Sequence, residues 1–340
     1  MSDSVRVDLH LTGDQISVRD MIGFGTMAEQ ADLGGVWTAE AWRDSLVTLA
    51  PIAAATTEIP VGTDVSQWTR TPPSLELAAA DLDDVSDGRF TLGIGTAPKE
   101  WNESWHGISY EKPLRRMREY VEALRLLWQA GPMNPVSFDG EVFSISNYIR
   151  LRGPLERPVP IHLGATLPGM AALAGEIAEG VNFNVVLTAP HIRDVMLPAV
   201  EAGARRAGRS LSDVQRSVLV STAVSDDRAE AVQWAKHQLA FYAGVASYFE
   251  PVMERHGFSE EYVRARDAFQ SGDPMAAIEA ITDEMVDQLV LAGTPDDVRR
   301  KLSRFDGVVD SVMIYAPTFL LDSDVVRAEH ESMITAFATA

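Results

Sequence analysis

Residues Val61 to Trp105, VGTDVSQWTRTPPSLELAAADLDDVSDGRFTLGIGTAPKEWNESW, decide the fold. Glu58–Val65 reads as a short apolar strand. Pro72 and Pro73 suit the first turn of a helix, where a missing N–H costs nothing. That helix carries Leu75, Leu77–Ala80 and Leu82 and stops near Ser86. Asp87-Gly88 is a turn signal, and Arg89–Gly95 is a second buried strand. Two parallel strands joined by a helix bring the loops that follow them to one edge of the sheet. Those loops hold Thr, Asp, Trp, Lys and Glu, so this edge is the expected active site.

The same unit recurs along the chain. Val5–Leu11 is a β-branched run, and Val18–Leu33 has helical spacing closed by Gly34-Gly35. Val36–Ala39 is a very short strand leading to Glu40, with Asp44 or Ser45 placed to cap the next helix. Lys112–Ala130 is amphipathic, and Phe138–Phe143 predicts a hairpin around Asp139-Gly140. Strands follow at 159–163, 180–186, 216–224 and 308–316, each succeeded by a helical pattern. The count is eight strands, near residues 6, 37, 61, 92, 161, 183, 220 and 313. Eight βα units predict an α/β fold, a closed (β/α)8 TIM barrel rather than an open sheet. The long gaps at 100–158 and 225–308 predict insertions after strands 4 and 7, both in βα connections.

Composition narrows the function. The 340 residues are 46% hydrophobic and 23% charged, an ordinary globular balance. No apolar run reaches the roughly 18 residues that span a bilayer. The N-terminus lacks a secretory pattern, so the cytoplasm is expected. A net charge of −20 argues against nucleic acid and anionic membrane as partners. With no cysteine there is no thiolate site, and no two of the seven histidines stand at ligand spacing, so no metal is expected.

Barrel sites lie at the C-terminal ends of the strands. That rule nominates Asp8 and His10, Glu40 and Trp42, Asp64 to Arg70, Thr96 to Glu103, Gly164 to Met170, Asn182, Asn184, Thr222 and Tyr315. A carboxylate such as Glu40, just beyond an apolar strand, needs a partner or a chemical role. HExxH, GxSxG and Walker A patterns are absent. Gly93-Ile94-Gly95-Thr96-Ala97-Pro98 starts like a dinucleotide fingerprint, but proline stands where the third glycine belongs. In Gly164-Ala165-Thr166-Leu167-Pro168-Gly169-Met170 a strand gives way to a helix whose free N–H groups suit a phosphate.

Four stretches resemble the bacterial luciferase-like family, in its branch that uses the deazaflavin coenzyme F420. They are Gly34 to Glu40, Gly62 to Val65 with Thr69 to Pro72, Leu82 to Gly95, and Trp105-His106-Gly107 with Lys112-Pro113-Leu114. The likeness runs from about residue 5 to 320 and is weakest across 237–290. It implies one TIM-barrel domain over residues 1–340, a lid at about 237–290 and a homodimer. The activity implied is hydride transfer between F420 and a small organic substrate. An FMN-dependent monooxygenase and a non-catalytic flavin-binding barrel are the alternatives. The resemblance places a non-prolyl cis peptide at Asp64–Val65, behind the ring. It sets Gly95, Thr96 and Ala97 against the ring or its side chain. The phosphate falls to Gly164, Ala165, Thr166, Gly169 and Met170. Glu40 then becomes the acid/base, directly or through His10, with Trp42 and Trp68 walling the substrate side. Relatives with Asp-His at Glu40-Ala41 have a histidine that this chain lacks.

Overall fold

The computed structural model describes residues 4–338 and contains the expected ring. Its strands are β1 (Arg6–Leu11), β2 (Val36–Thr38), β3 (Val61–Thr63), β4 (Phe90–Gly95), β5 (Ile161–Ala165), β6 (Gly180–Phe183), β7 (Gln215–Val224) and β8 (Ser311–Tyr315). Each pairs in parallel with the next. β8 closes the barrel on β1, from Arg6 opposite Ser311 to Leu9 opposite Ile314.

Local chemistry sets the surrounding helices. Ser17 and Asp20 form a reciprocal capping box at the start of Val18–Gln30. Asp44 caps Ser45–Ala55, and Thr71 caps Pro72–Val85, whose first positions are proline. Asp87 and Gly88 then take the left-handed conformation that turns the chain into β4. Side chains alternate along β1. Leu9 and Leu11 are buried in the hydrophobic core. Asp8 and His10 alternate with them and bond to Trp37 of β2 and to Asp64 just past β3.

The two insertions differ in placement. Between β4 and β5 the hairpin, Val136–Asp139 with Ser144–Tyr148, comes after the helix Pro113–Leu127. It therefore belongs to the αβ connection, not the βα one. It is fastened to the outside of the barrel by a buried ion pair between Arg150 and Glu76, and Glu119 accepts backbone N–H groups from its turn at Glu141 to Phe143. Between β7 and β8 the chain adds helices Arg228–Val245, Glu250–His256, Ser259–Gln270, Pro274–Ala280 and Asp283–Leu289. A short strand, Leu291–Gly293, then pairs with the end of β7 before the helix Pro295–Leu302. Among the described residues no helix is long and apolar enough to cross a membrane.

Candidate active site

The ends of β3, β4 and β5 meet at one side chain. The Asp64–Val65 peptide is cis, and Val65 lies over Gly95 and Gly164. A Cβ on Gly95 would overlap Val65 Cγ2, and one on Gly164 would sit 2.9 Å from Val65 Cγ1. Only glycine at both positions lets Val65 rest on the two neighbouring strands. The result is an apolar platform at the barrel mouth. Beyond it, Ala97 has a φ of +55° and Thr96 Oγ1 accepts from the Tyr110 hydroxyl at 3.2 Å.

Beneath the platform the barrel interior is polar. His10 Nε2 donates to the Asp64 carbonyl at 3.0 Å, and its ring lies 3.7 Å from Asp64 Oδ2. A carbonyl only accepts, so the proton is on Nε2 and Nδ1 is a bare acceptor, buried without a partner. From the far wall, Asn182 Nδ2 donates to Asp64 Oδ1 at 3.0 Å, while its Oδ1 accepts from His162 Nδ1 at 3.0 Å. Tyr315 donates to the Tyr242 hydroxyl at 2.8 Å, which brings the first inserted helix over the mouth. Burial governs the protonation states. It lowers His10 and His162 to about 4, so both are neutral imidazoles at neutral pH. It raises Asp64 to about 7 against the opposing hydrogen bond from Asn182.

At the rim beside the platform, Glu40 Oε2 accepts from Ser45 Oγ and from the Gln67 N–H, each at 3.3 Å, and Arg70 Nε lies at 3.6 Å. Burial raises the Glu40 pKa, and Arg70 offsets part of that rise. Arg70 also pairs with Asp44. Glu40 and Gln67 line a cavity of about 240 Å³ with Trp42, Trp101, Trp105 and His106. Trp101 stacks on Trp105 at 4.5 Å, and Trp42 leans on both at 5.3 and 6.1 Å. Phe241 of the inserted helix reaches Trp42 at 6.4 Å.

Across the mouth the helix Pro168–Ile177 starts after Leu167 without a side-chain cap. Met170 and Ala171 donate to the Leu167 carbonyl, leaving the exposed Gly169 N–H open. Asn184 Nδ2 holds Thr166 Oγ1 beside it at 2.8 Å. An open helix N-terminus with a fixed hydroxyl matches the chemistry of phosphate binding. No group of three His, Asp or Glu that could hold a metal occurs among the described residues.

A family model described as luciferase-like monooxygenase matches residues 1–310. The chain belongs to that family. Within it, the 5,10-methylenetetrahydromethanopterin reductase of Archaeoglobus fulgidus is 34% identical over 287 residues, covering 82% of this chain and 83% of the relative. The structure of coenzyme F420 dependent tetrahydromethanopterin reductase from Methanopyrus kandleri superposes with a TM-score of 0.82, 22% identity and coverage of 99% and 100%. The oxygenating constituent of 3,6-diketocamphane monooxygenase from Pseudomonas putida, in complex with FMN, gives a TM-score of 0.70, 17% identity and 98% coverage of both chains. The luciferase-like barrel is thus shared with proteins of both cofactor names.

In this luciferase-like chain the nominated residues fall into four places. Asp64, Val65, Gly95 and Gly164 form the platform, with Thr96 and Ala97 at its edge. His10 is below it. Glu40 and Trp42 line the rim cavity. Thr166, Gly169 and Met170 surround the open helix end, with Ala165 buried behind them. Trp68 departs from expectation. It is buried, donates to Asn102 Oδ1 at 2.6 Å and lies under the Arg116 guanidinium, so it walls no accessible cavity. His162, Trp105 and Tyr242 were not among the residues assigned site roles. Alternation along β5 puts His162 in register with Gly164 and could have found it; nothing in the sequence ties Tyr242 to Tyr315.

Proposed function

We propose that the protein is an F420-dependent oxidoreductase that passes a hydride between the deazaflavin and a small organic substrate. The observation that carries this reading is the Val65 platform at the ends of β3, β4 and β5, flanked by an open helix N-terminus. It occurs in a chain 34% identical over most of its length to a named reductase. The residues present fit such a cofactor. Val65, Gly95 and Gly164 offer a flat apolar bed, and the bare His10 Nδ1 is a buried acceptor awaiting a donor. Gly169 and Thr166 offer an N–H and a hydroxyl to a phosphate.

When bound, the deazaflavin supplies the carbon that gives or takes hydride. The chain's own work is to position, to exclude water and to move one proton. Glu40 does the last. Its Oε2 accepts from Ser45 and Gln67 with the Arg70 guanidinium beside it at 3.6 Å, and Oε1, which makes no hydrogen bond among the described residues, exchanges a proton with the substrate. Trp42 packs against the substrate, and the helix Arg228–Val245 acts as the lid. Titration of the purified protein with F420 and, separately, with FMN tests the reading. Saturable F420 binding at least tenfold tighter than FMN binding is expected. The reverse order would overturn it.

A further inference from the structure

A second cavity lies away from the barrel mouth. It has a volume of about 280 Å³, and its floor includes Leu187, Val220, Leu291 and Phe305, all buried. Ser221 is in register with Tyr315, whose ring meets His10 in the barrel interior, so the preceding Val220 points outward. The cavity therefore lies on the outer face of β7, and the strand stands between it and the polar interior. Its wall is irregular at two places. Val186 has a φ of +73°, which a β-branched residue takes only where its surroundings enforce it. Arg193 stands in one π-helical turn, Ile192–Met196, a widening common at functional sites.

The rim is basic. Arg193 and Arg304 line it, both exposed, and no carboxylate among the described residues does. Arg193 pairs with Asp194, which Arg255 shares, and Arg304 pairs with Asp287, which Lys301 shares. Four cations thus divide two carboxylates between them, in a chain whose net charge is −20. Neither guanidinium is used up. Arg193 gives Nε to Asp194, and Arg304 gives Nη1 and Nη2 to Asp287, out of five N–H groups each. His256, in the same lining, meets the Thr188 hydroxyl at 2.9 Å and is held neutral by burial and by Arg255.

We propose that this outer cavity is a second ligand site and takes a small amphiphilic carboxylate, its hydrocarbon body on the Val220 floor and its head at Arg193 and Arg304. An inorganic anion would leave the apolar floor bare, and a neutral hydrocarbon would leave the excess positive charge unmatched. The site owes nothing to the deazaflavin and is independent of the oxidoreductase reading.

Isothermal titration of the full chain at pH 7.5 compares octanoate, ionised at that pH, with octanamide, which keeps the length and lacks the charge. Octanoate is expected to bind saturably, once per chain, and about tenfold or more tighter than octanamide, the worth of one charge-assisted hydrogen bond. Arg193→Gln and Arg304→Gln, both at exposed positions, should each weaken octanoate about fivefold or more and leave octanamide within about twofold. Saturating F420 should leave octanoate affinity unchanged.

Absence of saturable octanoate binding would overturn the proposal, as would equal affinity for acid and amide. Wild-type octanoate affinity in both arginine variants would overturn it too. So would displacement of octanoate by F420, which would put the ligand at the barrel mouth. Octanoate binding in a protein that binds no F420 would support the outer site while refuting the oxidoreductase reading. F420 binding without octanoate binding would do the opposite.

Discussion

Asp64 is the most heavily buried carboxyl at the mouth, and its titration can be predicted from its surroundings. Its side chain is 9% exposed and accepts one hydrogen bond, from Asn182. His10, 3.7 Å away, is held neutral by burial and brings no compensating charge. Tyr242 and Tyr315 on the neighbouring elements are neutral too, both pushed up by burial. Nothing on any side repays the loss of water around a carboxylate, so the native pKa rises from 3.8 to about 7. The folded state therefore binds this proton more tightly than the unfolded chain does. The stability Asp64 contributes is complete below pH 4, fades as pH rises toward 7 and is absent above. At about 1.4 kcal/mol per pH unit, the ionised form costs on the order of 4 kcal/mol at pH 8. Asp64→Asn keeps the shape, can still accept from Asn182 and removes the titration. Urea unfolding of the apoprotein, followed by circular dichroism from pH 4 to pH 9, should show the variant gaining on the wild type between pH 4 and 7. The gain should level off above pH 7 at about 2–4 kcal/mol. A difference that is flat with pH would refute this account of the barrel interior, and one that grows toward acid would reverse its sign.

Other outcomes follow from the same geometry. Glu40→Gln should lower turnover on the order of 10²-fold or more while F420 affinity stays within a few fold, measured by steady-state kinetics and titration. Gly95→Ala forces a Cβ into Val65 and should cost about 1–3 kcal/mol in urea unfolding, with F420 affinity reduced in parallel. Arg150→Ala leaves Glu76, which is fully buried, without its cation and should cost about 3–5 kcal/mol. Its active-site titrations should not change, because the pair fastens the hairpin on the outside of the barrel.

The barrel was legible because each of its signals is local. Alternation in VRVDLHL, the prolines at 72 and 73, and the Asp87-Gly88 turn each fix one element within a few residues. β3 stops at Thr63, two residues short of the expected end. The strand-end rule put Asp64 and Glu40 at the barrel mouth, since topology alone places them there; Gly95 came from the family resemblance. It failed on Trp68, because an aromatic just past a strand can turn either into the mouth or under the next helix. Trp68 turned under the helix, where Asn102 and Arg116 satisfy its N–H and its face. Tyr242 was out of reach because it meets Tyr315 across 73 residues and an insertion with no strand to index it. The hairpin was read correctly as a hairpin, but its side of the barrel depends on following Pro113–Leu127, which spacing does not reveal.

The central claim is that a planar hydride carrier rests on Val65 with its phosphate at the Pro168 helix. A crystal structure of the protein with F420 tests it most directly. The ring is expected over Val65, between the ends of β3, β4 and β5, with a phosphate oxygen within hydrogen-bond distance of the Gly169 N–H or the Thr166 hydroxyl. A ring seated instead in the indole-lined rim cavity, or a phosphate away from that helix end, would contradict the account.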